Sequence, residues 1–566
     1  MEVQSGATAL PGHPTSAALC DGLGSQPPIG EPATVSLSRS VLLVLCALTL
    51  CALTVWEGVR TGADRTLPGA LARHLNGLAV AISCLSYSHC HGYTSLRSVD
   101  QALYDAGLNY SNIGGEPSRY IAALHDASFI NQALQRAASI PNPGTAVNSM
   151  GPHEKGLAFF YALSMAVFGI QLSSLFYGFM LVFFVTVGLF AVAFYRDHLA
   201  LASLVAACCA MYLIVPVLQE LDPDVNAVHG SRYLPLLGIV PVLHLFMLFE
   251  RGKMKPLQVV TAAAQAGILF FVMFSRLSGL WMVVGLGLWV VARVAVSMLR
   301  NDRHTARTMA HQAIVPGALV GFVLAALVLY PKFALDPQYL KQDETEYRTF
   351  WHHLLVAANF NPARPEVAGV PVEDPEFGQI PGYGDLIAYL LFEKEIARRG
   401  ENLSPYLLDD EAGWPQRTSH RRFDYKWGLY EGVVKSVFLR LVAEHPLYVL
   451  ESIFFYEPLA IVKEFFTGQF VPPASALLVV AAAIMICALA LLGPVNLAGA
   501  AALAWAALMF FAMSLLPALA SGVMPLRLVE PAFLLYAGTS LLGVLILRRL
   551  ILAAIGRLRR RRSVPI

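Results

Sequence analysis

Charge is scarce in this chain. Asp, Glu, Lys and Arg make up only 14% of its 566 residues and leave a net charge of +2. A composition so poor in charge and so rich in apolar residues excludes disorder over most of the length. Segments that alternate polar and apolar residues are missing, which excludes a membrane-spanning strand barrel. No internal repeat appears, nor the inverted pair of broken helices that marks many carriers. The N-terminus lacks a secretory cleavage site. Instead a polar stretch, residues 1–35, precedes the first apolar run and reads as a disordered cytoplasmic tail. Cysteines number eight. Cys46, Cys51, Cys208, Cys209 and Cys487 fall in apolar runs, where a thiol acts as a small hydrophobe. Cys84 and Cys90, in "CLSYSHC", admit a local disulfide in an oxidising compartment. His89 and His91 beside them have no second ligand pair at zinc spacing, so no metal site is assigned.

Apolar residues fill the space that charge leaves. They form 56% of the chain, and the mean hydropathy is +0.57. Crossing a hydrocarbon core takes about 20 helical residues. Runs of that length occur at 36–57, 173–195, 198–218, 232–250, 256–275, 278–298, 311–331, 472–493, 495–518 and 528–548. The fold class is therefore an all-α membrane protein, with about ten transmembrane helices and additional interfacial ones. The apolar segment 157–169 is too short for a full crossing and reads as interfacial or re-entrant.

Basic connections orient the chain. "YRDH" (195–198), "ERGKMK" (250–255) and "RNDRHTAR" (300–307) face the cytoplasm under the positive-inside rule if 36–57 runs outward and 157–169 does not cross. The C-terminal cluster Arg548, Arg549, Arg557 and Arg559 to Arg562 then also lies inside, beside anionic lipid. That cluster abuts a membrane helix and has no domain of its own, so nucleic acid is not an expected partner. The expected organisation follows: an N-terminal transmembrane module (36–331) with a large outer loop (58–172), an outer-face, periplasmic region (332–471), C-terminal transmembrane helices (472–550) and a basic cytoplasmic tail (551–566). The expected location is the bacterial inner membrane, with both termini in the cytoplasm. Within the outer region, 386–399 and 424–466 are amphipathic at helical spacing. The aromatic-rich "YVLESIFFYEPLAIVKEFF" suits the headgroup zone.

Chemistry has few places to reside. "DASFINQALQRAAS" puts Phe129, Ala133, Leu134 and Ala137 on one helical face, and Asp126 leads that helix. A carboxylate there caps free backbone amides and suits the helix dipole; the same group can also act as a base. Further on, "HEKGLAFFYALSMAVFG" runs from His153 through Glu154 and Lys155 into an apolar aromatic segment. One span, a large outer loop with a carboxylate ahead of an amphipathic helix, then a Glu-Lys step into aromatics ending at Phe168-Gly169, resembles the GT-C superfamily of membrane glycosyltransferases. The likeness is nearest to the protein mannosyltransferase and aminoarabinose transferase type. It spans roughly residues 36–260 and the general plan of the C-terminal half. In those relatives two carboxylates are common where Asp126 stands between His125 and Ala127, and two prolines stand where this chain has Gly156-Leu157. The resemblance implies that Asp126 takes the proton of an acceptor hydroxyl, work worth about 10²–10⁴-fold in rate.

The resemblance also implies a sugar on a polyprenyl phosphate as donor, moved to a lipid, polysaccharide or protein acceptor on the outer face. No cofactor is expected, with a divalent metal left open. A lipid phosphate needs cations at the outer membrane surface. Lys155, Arg232, Arg276 and Arg527 are the candidates, each at an outer helix end, where an Arg fork can hold phosphate with two bonds. The competing reading is snorkelling to headgroups or pairing with Glu220, Asp222, Asp224 or Glu530. His125, Glu154, Asp222 and Asp224 are further candidate site residues; the two aspartates also suit a solvated turn. His352 and His353 are adjacent and so poor joint ligands. Tyr347, Trp351, Tyr383, Trp414 and Trp427 can stack on a sugar or simply pack. Two rival functions remain: a lipid or solute carrier, and a non-catalytic subunit of an envelope polysaccharide system. The near absence of ionisable residues mid-span counts against the carrier.

Overall fold

The computed structural model describes residues 33–65, 71–90, 94–106, 126–149, 156–221, 231–252, 254–300, 303–335, 350–358, 361, 384–407, 425–466, 470–493, 497–519 and 527–562. Nearly all of the 1–35 tail lies outside them, as do Asp222, Asp224, Tyr347, Tyr383 and Trp414.

Helices dominate. In chain order they are α1 (Ala33–Arg60), α2 (Leu71–Tyr87), α3 (Arg97–Asp105), α4 (Ala127–Ala138), α5 (Leu157–Phe168), α6 (Ser173–Phe194), α7 (His198–Leu221), α8 (Ile239–Arg251), α9 (Pro256–Ser275) and α10 (Leu280–Leu299). Then come α11 (Arg303–Gln312), α12 (Ile314–Ala334), α13 (Phe350–Ala358), α14 (Gly384–Arg398), α15 (Trp427–Glu444), α16 (Pro446–Glu451), α17 (Glu457–Phe466), α18 (Ala474–Ala490), α19 (Leu497–Leu519) and α20 (Val529–Arg562). Two short strands, β1 (Thr94–Leu96) and β2 (Val147–Ser149), pair antiparallel with Leu96 opposite Val147.

Eight helices among the described residues are long and apolar enough to cross a membrane. They coincide with eight of the runs read from sequence, and this is a multi-pass helical membrane protein. The other two runs are helical as well, one as α18 and one as the leading part of α20. The membrane helices differ sharply in surroundings. Every residue of the apolar window in α7 is buried, against 17% in α12 and 22% in α19. The cause lies in the sequence of α7: "ALASLVAACCA" supplies small side chains that let neighbouring backbones approach. Helices α1, α18 and α20 pack around it. Helix α20 is longer than any bilayer requires. Its 34 residues rise about 51 Å, against about 30 Å of hydrocarbon. Where it emerges, Arg548 turns back and donates to the Leu491 and Gly493 carbonyls at 2.6 and 2.7 Å. It thereby caps the carbonyl end of α18.

Two ends of the bundle can be told apart. At one, Asp197 pairs with Arg251, and Glu250 holds both Trp289 Nε1 (2.7 Å) and Arg293 (3.2 Å). Helix α11 packs there against α8 and α10. The three basic connections therefore gather at a single end, as the charge pattern requires. At the other end, Asn131 Oδ1 accepts the Leu172 amide (2.8 Å), Gln135 donates to Ile170 (2.6 Å), and the Gly156 amide donates to the Phe274 carbonyl (2.9 Å). Cys84 and Cys90 are bridged, closing the C-terminal end of α2. Helices α13 to α16 form a separate small core around Leu355, Phe392, Tyr425, Tyr430 and Val434.

Candidate functional site

Asp126 is the N-cap of α4. Its Oδ1 accepts the Ser128 hydroxyl at 2.6 Å and the Ser128 and Phe129 amides at 2.9 and 3.3 Å. These bonds stabilise the carboxylate and hold its pKa below the ordinary aspartate value, the Ser128 hydroxyl acting most strongly. The side chain is exposed, and among the described residues all its hydrogen bonds stay within its own helix. Capping and base chemistry therefore compete: to take a proton, Asp126 gives up bonds that favour its charged form. Asn131 and Gln135 on the same helix anchor it to the start of α6.

The second motif begins its described part at Gly156; His125, Glu154 and Lys155 lie outside the described residues, and so does the Arg232 side chain. Gly156 is held tightly. A Cβ built there would stand 2.6 Å from the Ser275 amide nitrogen, so only glycine lets this strand of chain sit against the end of α9. Helix α5 follows and stops at Gly169, whose φ of 90° is open to glycine. The Phe-Gly ending is thus a helix stop.

Arg276 comes directly after α9, two residues beyond the Phe274 carbonyl that Gly156 bonds. It acts electrostatically on Glu530 in the first turn of α20, and Glu530 also accepts the Trp281 indole N–H. Arg527 stands three residues before Glu530. It acts electrostatically on Glu457, the first residue of α17. Of the cations singled out in the sequence, Arg276 and Arg527 are thus drawn to the same end of the bundle, around the buried Glu457 and the partly buried Glu530.

Glu457 sits where it does because of the residue after it. Pro458 has no amide hydrogen for the Phe454 carbonyl and crowds it, so the helix widens into a π-helical turn over Ser452–Tyr456. That turn joins α16 to α17 and aims Glu457 inward. Its relative exposure is 0%, and neither carboxylate oxygen has a hydrogen-bond partner. Burial pushes its pKa up to about 9 against the opposing pull of Arg527. The group is consequently a neutral acid at physiological pH. Sequence reading passed over it, although a lone Glu inside "IFFYEPLAIV" carries a signal: ionisable residues in apolar helices are costly unless used.

A different acidic centre lies in the separate small core. Glu395 accepts from Arg398 (2.7 and 2.9 Å), Arg399 (3.0 Å) and Arg440 (2.8 Å), which hold its carboxyl down at about 2. Glu431 caps the start of α13 by accepting the Trp351 and His352 amides at 2.8 and 3.0 Å. His352 bonds the Tyr430 hydroxyl at 2.8 Å and packs among Tyr389 and Tyr430, whereas His353 is not part of any metal-binding cluster among the described residues. Trp351 lies under Lys435 and against Phe438. These groups pack together within the subdomain. No protein-family model matches the chain, and neither does any curated protein or solved structure.

Proposed function

We propose that this protein is a membrane glycosyltransferase of GT-C-like plan, with about ten spans and both termini on the cytoplasmic side of a bacterial inner membrane. It transfers a sugar from a polyprenyl-phosphate carrier to a lipid, polysaccharide or protein acceptor on the outer face. One observation carries the reading: Arg276 and Arg527 gather at one end of the bundle, the end to which Gly156 ties the chain just after Glu154-Lys155. Guanidinium groups at that depth are costly unless paired or used, and they match a lipid phosphate in geometry and charge. On this reading Asp126 is the acceptor's base, and the mobile part of the chemistry is its exchange of the helix cap for a hydroxyl proton.

The test is transfer from a polyprenyl-phosphate sugar by the full chain in vesicles. Arg276→Gln should cut turnover more than tenfold. Asp126→Asn, which keeps a capping oxygen and so the helix, should cut it about 10²–10⁴-fold. Full activity in the Asn variant removes Asp126 as base. Carrier-lipid binding without turnover in the wild type identifies a non-catalytic subunit instead.

A further inference from the structure

Glu457 is, among the described residues, the one enclosed carboxylate with both oxygens unbonded. A purely structural acid at a helix start caps amides or bonds a cation; this one accepts no hydrogen bond, and the pull of Arg527 does not offset its burial. Its helix also faces two ways. Leu447, Leu450, Phe454, Phe455, Leu459 and Val462 are exposed, so the run from α16 to α17 presents an apolar side outward. The opposite side holds Tyr448, Val449, Ser452, Glu457 and Ile461, all buried. Eight residues after α17 the chain enters α18, one of the apolar helices, so this run lies at the rim of the membrane bundle. An amphipathic helix in that place is bathed by lipid on its apolar side.

We propose that Glu457 and Arg527 form a phosphate subsite filled sideways from the outer leaflet. In its acid form the Glu457 carboxyl donates a hydrogen bond to a lipid phosphate that Arg527 holds; in its ionised form it takes Arg527 for itself and displaces that phosphate. The proposal rests on the reading of this end as a lipid-phosphate site and adds the group that controls occupancy.

The charges around Glu457 are few. Arg527 acts on it directly. Lys463 and Glu464 follow on its own helix, Glu530 comes three residues after Arg527 and is acted on by Arg276, and α19, against which Phe465 packs, contains no ionisable residue. Because burial raises Glu457 to about 9, the acid form prevails at neutral pH and the carboxylate appears only as pH climbs past that value. A phosphate monoester has finished its second ionisation, near pH 6, well below this window.

Binding of polyprenyl phosphate to the full chain in nanodiscs of zwitterionic lipid, followed from pH 7.5 to 10, tests the idea. The wild type should hold a constant affinity at the lower end and lose it by about tenfold per pH unit once Glu457 ionises. Glu457→Gln should bind with little pH dependence over the same range, and Arg527→Gln should bind at least tenfold more weakly at pH 7.5. A Gln variant that titrates like the wild type, or an Arg527 variant of undiminished affinity, overturns the subsite. Phosphatidylglycerol and inorganic phosphate serve as competing probes. Equal competition by either one overturns assignment to the carrier lipid. Binding that follows this pattern without any sugar transfer leaves the subsite standing and removes the transferase reading.

Discussion

At the level of single residues, three carboxylates show how environment sets the work a group can do. Asp126 is exposed and bonded, so its charge is favoured. Glu457 is enclosed and unbonded, so its charge is opposed. Glu395 is enclosed but surrounded by three arginines, and its charge is favoured most of all. The last case has a direct thermodynamic consequence. Because the folded carboxyl titrates at about 2 against an ordinary 4.5, its contribution is complete above 4.5 and is lost as pH falls through the folded value. Glu395→Gln should therefore destabilise the small core of α13 to α16 at pH 7 by about 1.5–3 kcal/mol, the worth of hydrogen bonds to charged groups. Thermal melting of the two proteins should converge as pH is lowered toward 2. A constant difference across that range would show that packing, and not the ionised carboxylate, makes the contribution.

At the level of elements, what decides position is where one helix end is allowed to approach another. Gly156 against Ser275 is such an approach, because a Cβ there would stand 2.6 Å from a backbone nitrogen. Gly156→Ala should force the two apart at a cost of about 1–3 kcal/mol, typical of overpacking, and loosen α5 from the end of α9. Faster hydrogen exchange at residues 156–160 and 274–276, with little change in α7, is the expected readout; unchanged exchange would mean that the contact relaxes freely. The spans were legible in the sequence because hydrophobic length is a local property. So was the cap, since Asp126 precedes an apolar-periodic run. The third arginine on Glu395, Arg440, comes from a different helix and left no local trace. Glu457 was hidden differently. Its neighbours are aromatic, and composition alone assigned the stretch to the headgroup zone; the π-helical turn that aims the side chain inward follows from Pro458 and from packing around it.

At the scale of the whole molecule, the two ends carry different chemistry. One is knit by Asp197–Arg251 and Glu250–Arg293, the other gathers Arg276, Arg527, Glu457 and Glu530. Thiol labelling can assign these ends to the two sides of the membrane. The five free cysteines among the described residues are all buried, and Cys84 and Cys90 are bridged, so with Cys20 replaced by Ser the background is low. Ala397→Cys, exposed on α14, should react with a membrane-impermeant maleimide in intact spheroplasts, and Ala310→Cys, exposed on α11, only after the membrane is opened. Labelling in the reverse order would invert the orientation and move the arginine pair to the cytoplasmic leaflet. The tie between Arg548 and the end of α18 bears on how the chain can be shortened. Trimming the arginine-rich extension is an obvious route to a less adhesive protein, and a stop placed beyond Arg549 removes most of its positive charge. A stop before Arg548 would strip the carbonyls of a neighbouring helix of their donor, so the tail is dispensable for solubility engineering only up to the point where it becomes someone else's cap.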